Sequence, residues 1–225
     1  MRSAENRKSN NKGMTLVEMI VCFALLGMFL VAATTVITSV VNLYYQIRGE
    51  SYARQVGDII ENKIVGELEG TRFFESDTSP DNITIDNTPT ESGNSVSLYD
   101  KTNTKVKIYA EDGILKIDYA AISKPSAEDS RVATTWTFDK KVYNGYSLES
   151  LDFAPANNVM CENLAQEYGV DGISCTDYDS NVIVVFMKLT SPKYGGFTVY
   201  RFIRLYDLPE KEYNGSAYSI KVYNP

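Results

Sequence analysis

KGMTLVEMIVCFALLGMFLVAATTVITSVVNLYYQIR, residues 12–48, is the stretch whose reading decides the fold. A short basic leader, Arg2 to Gly13, meets a long apolar run in which no residue from Met19 to Ala33 is charged. The semi-polar continuation keeps Val36, Ile37, Val40 and Val41 apolar, which supplies the ~20 residues a bilayer-spanning helix needs. The stretch reads as a membrane segment with an acid, Glu18, inside it. A carboxylate there costs about 2.5–3.5 kcal/mol on insertion scales and gives a plain anchor nothing in return, so Glu18 is a functional residue in need of a partner.

Two ordinary readings are open to the segment. It fits a secretory signal peptide with a small-residue site at Val31-Ala32-Ala33, and it fits a single-pass anchor for a surface adhesin or ligand-binding ectodomain that forms no fibre. Neither gives a reason for an acid at position 18. The string Gly13-Met14-Thr15-Leu16-Val17-Glu18, followed by an apolar helix, resembles the class III signal of type IV pilins and type II secretion pseudopilins. That resemblance implies leader cleavage between Gly13 and Met14, N-methylation of Met14, and an assembly role for Glu18, the fifth residue from the new terminus. Gly27 also falls where the family commonly has glycine. Met14 replaces the commoner phenylalanine, and Thr35 stands where many major pilins have a helix-loosening proline, which points to a minor pilin or pseudopilin.

The partners implied by the resemblance are a prepilin peptidase, other pilin or pseudopilin subunits, an inner-membrane assembly platform and membrane lipid. The implied location is a single-pass cell membrane protein that becomes part of a cell-surface filament, serving motility, adhesion, DNA uptake or protein secretion. Charge supports the orientation. The chain's net charge is -7, and the leader, with Arg2, Arg7, Lys8 and Lys12 against Glu5, leaves -10 for the rest. Basic residues before a first membrane segment stay in the cytoplasm, which places the C-terminal domain outside it. An acidic exterior lacks the clustered Lys and Arg that nucleic acid requires, so no nucleic acid partner is predicted.

From Met14 to about Glu69 there is no proline, and beyond the apolar run Val56, Ile59, Ile60, Ile64 and Leu68 recur at helical steps. One helix is expected over the whole stretch, with an amphipathic second half wide enough to pack on a sheet. Gly49 and Gly57 each weaken it by about 1 kcal/mol relative to Ala, and Gly70 suits its C-terminal cap. Residues 75–95 turn polar and read as a loop with one short edge strand at Ile83-Thr84-Ile85.

Strand patterns follow at Ser95–Tyr99, at Lys105–Tyr109 turning through Glu111-Asp112-Gly113 into Ile114–Tyr119, at Thr134–Phe138, Val182–Leu189, Phe197–Leu205 and Tyr218–Tyr223. The fold class is α+β, a long N-terminal helix packed on an antiparallel β-sheet. The expected parts are a cleaved leader at 1–13, a transmembrane and assembly half of the helix at 14–41, an amphipathic half at 42–70 and a β-rich domain at 71–225. The hairpin Val106-Lys107-Ile108-Tyr109, with Gly113 and Leu115 beyond it, further resembles J-type pseudopilins and W-type minor pilins.

Cys161 and Cys175, fourteen positions apart in an exported domain, read as a disulfide worth about 3 kcal/mol in the chain-entropy model. Cys22 reads as a small apolar residue of the membrane helix. With no histidine in the chain and no C-x-x-C spacing, no metal site or other cofactor is expected. Asp177-Tyr178-Asp179-Ser180-Asn181 begins like a calcium loop, but Val182 follows where glycine is needed and Lys188 takes the place of the bidentate glutamate. A polar turn is expected there. No nucleophile-and-base pattern or phosphate loop is present, so the expectation is a structural subunit and not an enzyme. The 16 tyrosines suit strands. Lys101, Lys105, Lys107 and Lys116 read as solvated edge-strand charge.

Overall fold

The structure is a computed structural model that describes residues 15–71, 83–90, 92–121, 132–175, 181–206 and 221–223. Helix α1 runs from Leu16 to Glu69, 54 residues without a break. Two compact units divide the chain, Met1–Ile47 and Arg48–Pro225. In the first unit the apolar side chains of α1 face outward: Leu16 is 76% exposed and Phe29 69%. In the second unit the helix has a buried face.

That face is Ala53, Val56, Ile60, Ile64 and Leu68, each at most 1% exposed and spaced by three or four residues. Each large side chain so removed from water contributes about 1.5–3 kcal/mol. Ile59, expected in the stripe, is 42% exposed, because it lies off the arc that these five define. The helix ends at Gly70 without a left-handed residue; Thr71 caps it instead, its hydroxyl donating to the Leu68 carbonyl at 2.6 Å.

The strands are β1 (Ile83–Thr90), β2 (Gly93–Tyr99), β3 (Lys105–Glu111), β4 (Ile114–Tyr119), β5 (Thr134–Thr137), β6 (Ser147–Pro155), β7 (Val182–Ser191), β8 (Gly195–Arg204) and β9 (Lys221–Tyr223). A 3₁₀ turn at Lys140–Tyr143 precedes β6, and helix α2, Val159–Glu167, follows it. The sheet order is β5-β4-β3-β2-β6-β7-β8, with β1 beside β2 and β9 beside β1. The pairing is antiparallel except for β1 with β9 and a single contact of β2 with β6, which are parallel. The class is α+β: the second half of α1 packs on a mostly antiparallel sheet.

The β3–β4 hairpin closes on Asp112 and Gly113, with φ of 56° and 75°. Both central residues are left-handed, as a two-residue hairpin of this hand requires. The alternation of β3 buries Val106, Ile108 and Ala110, and that of β4 buries Leu115 and Ile117. Tyr143, 2% exposed, accepts the Leu115 amide proton on its hydroxyl at 2.7 Å, which ties the 3₁₀ turn to this hairpin.

Several expectations are corrected. Residues 83–90 are an eight-residue strand where a loop with one short strand was expected, and β2 begins at Gly93 inside the same polar stretch. Backbone pairing on both sides holds this segment, with β2 on one flank and β9 on the other, so its polar composition does not keep it out of the sheet. β6 and α2 join the strands expected from patterning. Lys105, Lys107 and Lys116 do not stand on edge strands: β3 lies between β2 and β4, and β4 between β3 and β5. They occupy the face of the sheet away from the core, and Lys116 pairs with Glu111 and Asp112 at 2.5 and 2.9 Å.

Candidate functional site

The site is built on the start of α1. Thr15 stands just before the helix and its backbone amide donates to Glu18 Oε2 at 2.8 Å, while its hydroxyl donates to the same oxygen at 2.9 Å. The Glu18 amide returns a bond to Thr15 Oγ1 at 3.3 Å. The pair forms a capping box, in which an N-cap threonine and the glutamate three residues on satisfy each other's orphan donors. A carboxylate in the first turn also meets the positive end of the helix dipole. Thr15 is a capping residue that apolar patterning does not reveal, although the Thr-x-x-Glu spacing carries its signature.

From Met19 to Ile47 the helix has no charged residue. Its mean hydropathy reaches 2.6 over an 18-residue window of which none is buried, so it is long and apolar enough to cross a membrane. The hydroxyls in this span return to the helix backbone: Thr34 donates to the Leu30 carbonyl at 2.7 Å, Thr38 to Thr34 at 2.8 Å and Ser39 to Thr35 at 3.0 Å. Thr35 donates to the Ala32 carbonyl at 2.8 Å. These bonds remove the polar cost of hydroxyls facing an apolar medium. Gly27 meets no atom within 4 Å, and Cys22 is an exposed free thiol. Gly13 and Met14, the expected cleavage and methylation positions, lie outside the described residues.

In the second unit Cys161, on α2, and Cys175 form a disulfide with Cα atoms 6.1 Å apart, both buried. α2 is tied to the sheet through Tyr168, whose hydroxyl donates to Asp152 Oδ2 at 2.6 Å. Asp152, 9% exposed, also accepts the Asn94 amide at 2.8 Å. Burial pushes the Asp152 carboxyl upward, against the pull of its Tyr168 and Asn94 hydrogen bonds. Burial also drives the Tyr168 phenol upward, which keeps it a donor. On α1, Glu61 faces Arg201 at 3.4 Å, and burial outweighs the arginine to raise its pKa. Of the calcium-like run only Asn181 lies among the described residues; Lys188 is paired with Glu149 at 2.9 Å. Among the described residues no group of three or more acids or cysteines is placed to hold a metal ion.

Comparison with known proteins bears on the amino-terminal segment. Residues 8–34 match the family model of the prokaryotic N-terminal methylation motif. The chain therefore carries a prepilin-type motif at its amino terminus, over the segment that holds Glu18. Among curated proteins no sequence matches. Among solved structures, a chain of the GspK-GspI-GspJ complex from the enterotoxigenic Escherichia coli type 2 secretion system is similar at 12% identity and a TM-score of 0.35. The match covers 66% of this chain and 96% of that one, and a likeness so slight carries no inference about function.

Proposed function

We propose that the protein is a structural minor pilin or pseudopilin, cut by a prepilin peptidase between Gly13 and Met14 and assembled through α1 into a type IV pilus-like filament. The observation that carries this reading is the carboxylate of Glu18 just before an uncharged helical stretch of membrane length, Met19 to Ile47, inside a matched methylation motif. Cleavage creates a positive α-amine on Met14, next in sequence to Thr15. The amine of a neighbouring subunit is the partner Glu18 requires.

Both Thr15 bonds fall on Glu18 Oε2, so pairing with a neighbour's amine falls to Oε1, and the cap and the ion pair can coexist. In a low dielectric the pair is strongly attractive, and a carboxylate without one is costly. Subunits that leave Glu18 unmatched are thereby selected against. The other partners are the inner-membrane assembly platform and the lipid around the apolar half. The acidic domain lies outside the cytoplasm in this reading and faces outward once the helix has moved into the fibre.

Leader removal tests it. In cells with a prepilin peptidase, Gly13→Leu should leave the leader attached and keep the protein out of filaments while it still resides in the membrane. Filaments containing uncut Gly13→Leu protein would contradict the proposal.

A further inference from the structure

The sheet has a seam. Strands β5, β4, β3 and β2 stand on one side of it and β6, β7 and β8 on the other, and the two sides meet where Gly93 pairs with Leu151. A Cβ on Gly93 would stand 2.2 Å from the Leu151 carbonyl oxygen, so the two backbones are in direct contact there, and the Leu151 amide donates to the Ser92 carbonyl at 3.1 Å. Beyond this pair side chains take over. The Asn94 carboxamide donates to the Phe153 carbonyl at 2.9 Å and accepts the Phe153 amide at 2.7 Å, as a neighbouring strand would. The Asn94 amide in turn donates to Asp152 Oδ1 at 2.8 Å.

Tyr168 reaches this seam from inside the disulfide loop. Its hydroxyl donates to Asp152 Oδ2 at 2.6 Å and lies 2.7 Å from Ser150 Oγ. Cys161, Leu164 and Ala165 are the buried residues of α2, and Tyr168, seven residues on from Cys161, continues their face, its ring 5.4 Å from that of Phe186. Helix α2 has nine residues, fewer than the roughly 12–15 a helix needs to persist alone in water, so packing and covalent closure hold it in place. The Cys161–Cys175 bond closes the loop that carries Tyr168.

We infer that this cysteine pair is a redox latch: as a disulfide it holds Tyr168 on Asp152 and so locks the seam, and as a dithiol it lets α2 loosen and the seam open. Closure takes two electrons and two protons from the thiols of Cys161 and Cys175; a disulfide of a small thiol or of a dithiol protein accepts them and is itself reduced to thiols. The latch is guarded once shut. Cys161 is 0% and Cys175 1% exposed, and exchange needs a thiolate to reach one of the two sulfurs, so reduction waits for α2 to lift. Tyr168 is a positioning residue, acting on Asn94 through Asp152.

The test is hydrogen exchange on the full chain in detergent, fragmented to single amides. Asn94, Leu151 and Phe153 report the seam, and the β3–β4 hairpin is the internal reference. Cys161→Ala with Cys175→Ala should speed exchange at the three seam amides by on the order of tenfold and leave the hairpin unchanged. Tyr168→Phe keeps the ring and the disulfide but loses a hydroxyl bonded to a carboxylate, and should by itself give a rise of the same order. In the double-alanine background it should add less than about twofold, because Tyr168 has already left Asp152. Wild type refolded in dithiothreitol supplies the dithiol form without substitution; its seam should exchange as fast as that of the double-alanine chain, and oxidised glutathione should restore the slow rate. Equal effects of Tyr168→Phe in both backgrounds, or a seam at the wild-type rate without the disulfide, would overturn the latch. A rise spread evenly over seam and hairpin would overturn it too, since that is a loss of global stability.

Discussion

Glu18 and Thr15 bond to each other in both directions, the threonine amide to the carboxylate at 2.8 Å and the glutamate amide to the threonine hydroxyl at 3.3 Å. The acid that the apolar helix carries at its start is therefore also that helix's cap. Two roles on one side chain can be separated by substitution. Glu18→Gln keeps an oxygen that can accept the Thr15 bonds but removes the charge, and it should be cut normally yet be lost from sheared filaments. Thr15→Ala removes the hydroxyl at a cost of about 1 kcal/mol of local helix stability and should still assemble. Immunoblots of sheared and cell-bound fractions read both. Wild-type incorporation of Glu18→Gln would remove the ion pair from the mechanism.

Gly49 and Gly66 should respond oppositely to the same change. Alanine at an exposed helix interior normally gains about 0.5–1 kcal/mol over glycine, and the Cβ site of Gly66 has no atom within 4 Å. At Gly49 the added carbon meets the Tyr194 side chain, Cβ at 2.7 Å and the ring at 2.9 Å, and overpacking of that kind costs typically about 1–3 kcal/mol. Thermal melts of the detergent-solubilised chain should rank Gly66→Ala above wild type and Gly49→Ala below it.

The Cys161–Cys175 bridge should be worth about 3 kcal/mol by loop closure. Unreduced, denatured protein should show one reactive thiol, Cys22, and reduced protein three. Cys161→Ala with Cys175→Ala should lower the melting temperature, and a melt unchanged by the double substitution would show that other contacts hold α2.

Asp152 predicts a pH effect of defined sign. Burial raises its folded pKa above the ordinary 3.8, so the folded chain binds that proton more tightly than the unfolded one. The associated stability is fully present below 3.8 and is lost as pH rises through the folded value. Glu61 acts in the same direction from 4.5. Denaturant titrations across this window should show that Asp152→Asn flattens part of the decline, and identical pH slopes in wild type and variant would contradict it.

The periodic parts of the chain were legible: the long helix, the Asp112-Gly113 hairpin and strands such as β7 follow from apolar spacing and turn residues. β1 was not, because Asp86, Asn87 and Pro89 read as loop and its pairing with β2 and β9 is tertiary. β6 was hidden by Glu149 and Asp152; the latter is buried only because Tyr168 and Asn94 reach it from elsewhere in the chain. α2 has nine residues, too few for a period to declare itself, and an exposed Val159 in its first turn. At the candidate site, charge and hydropathy single out Glu18. The Tyr146 and Tyr194 contacts with Gly49 join residues too far apart in sequence for any local pattern.

The measurement that tests the account most directly is the amino terminus and intact mass of the protein recovered from membranes of cells that have a prepilin peptidase. A chain beginning at Met14 with one added methyl group is the predicted result. A start at Thr34, or an intact Met1, would contradict it.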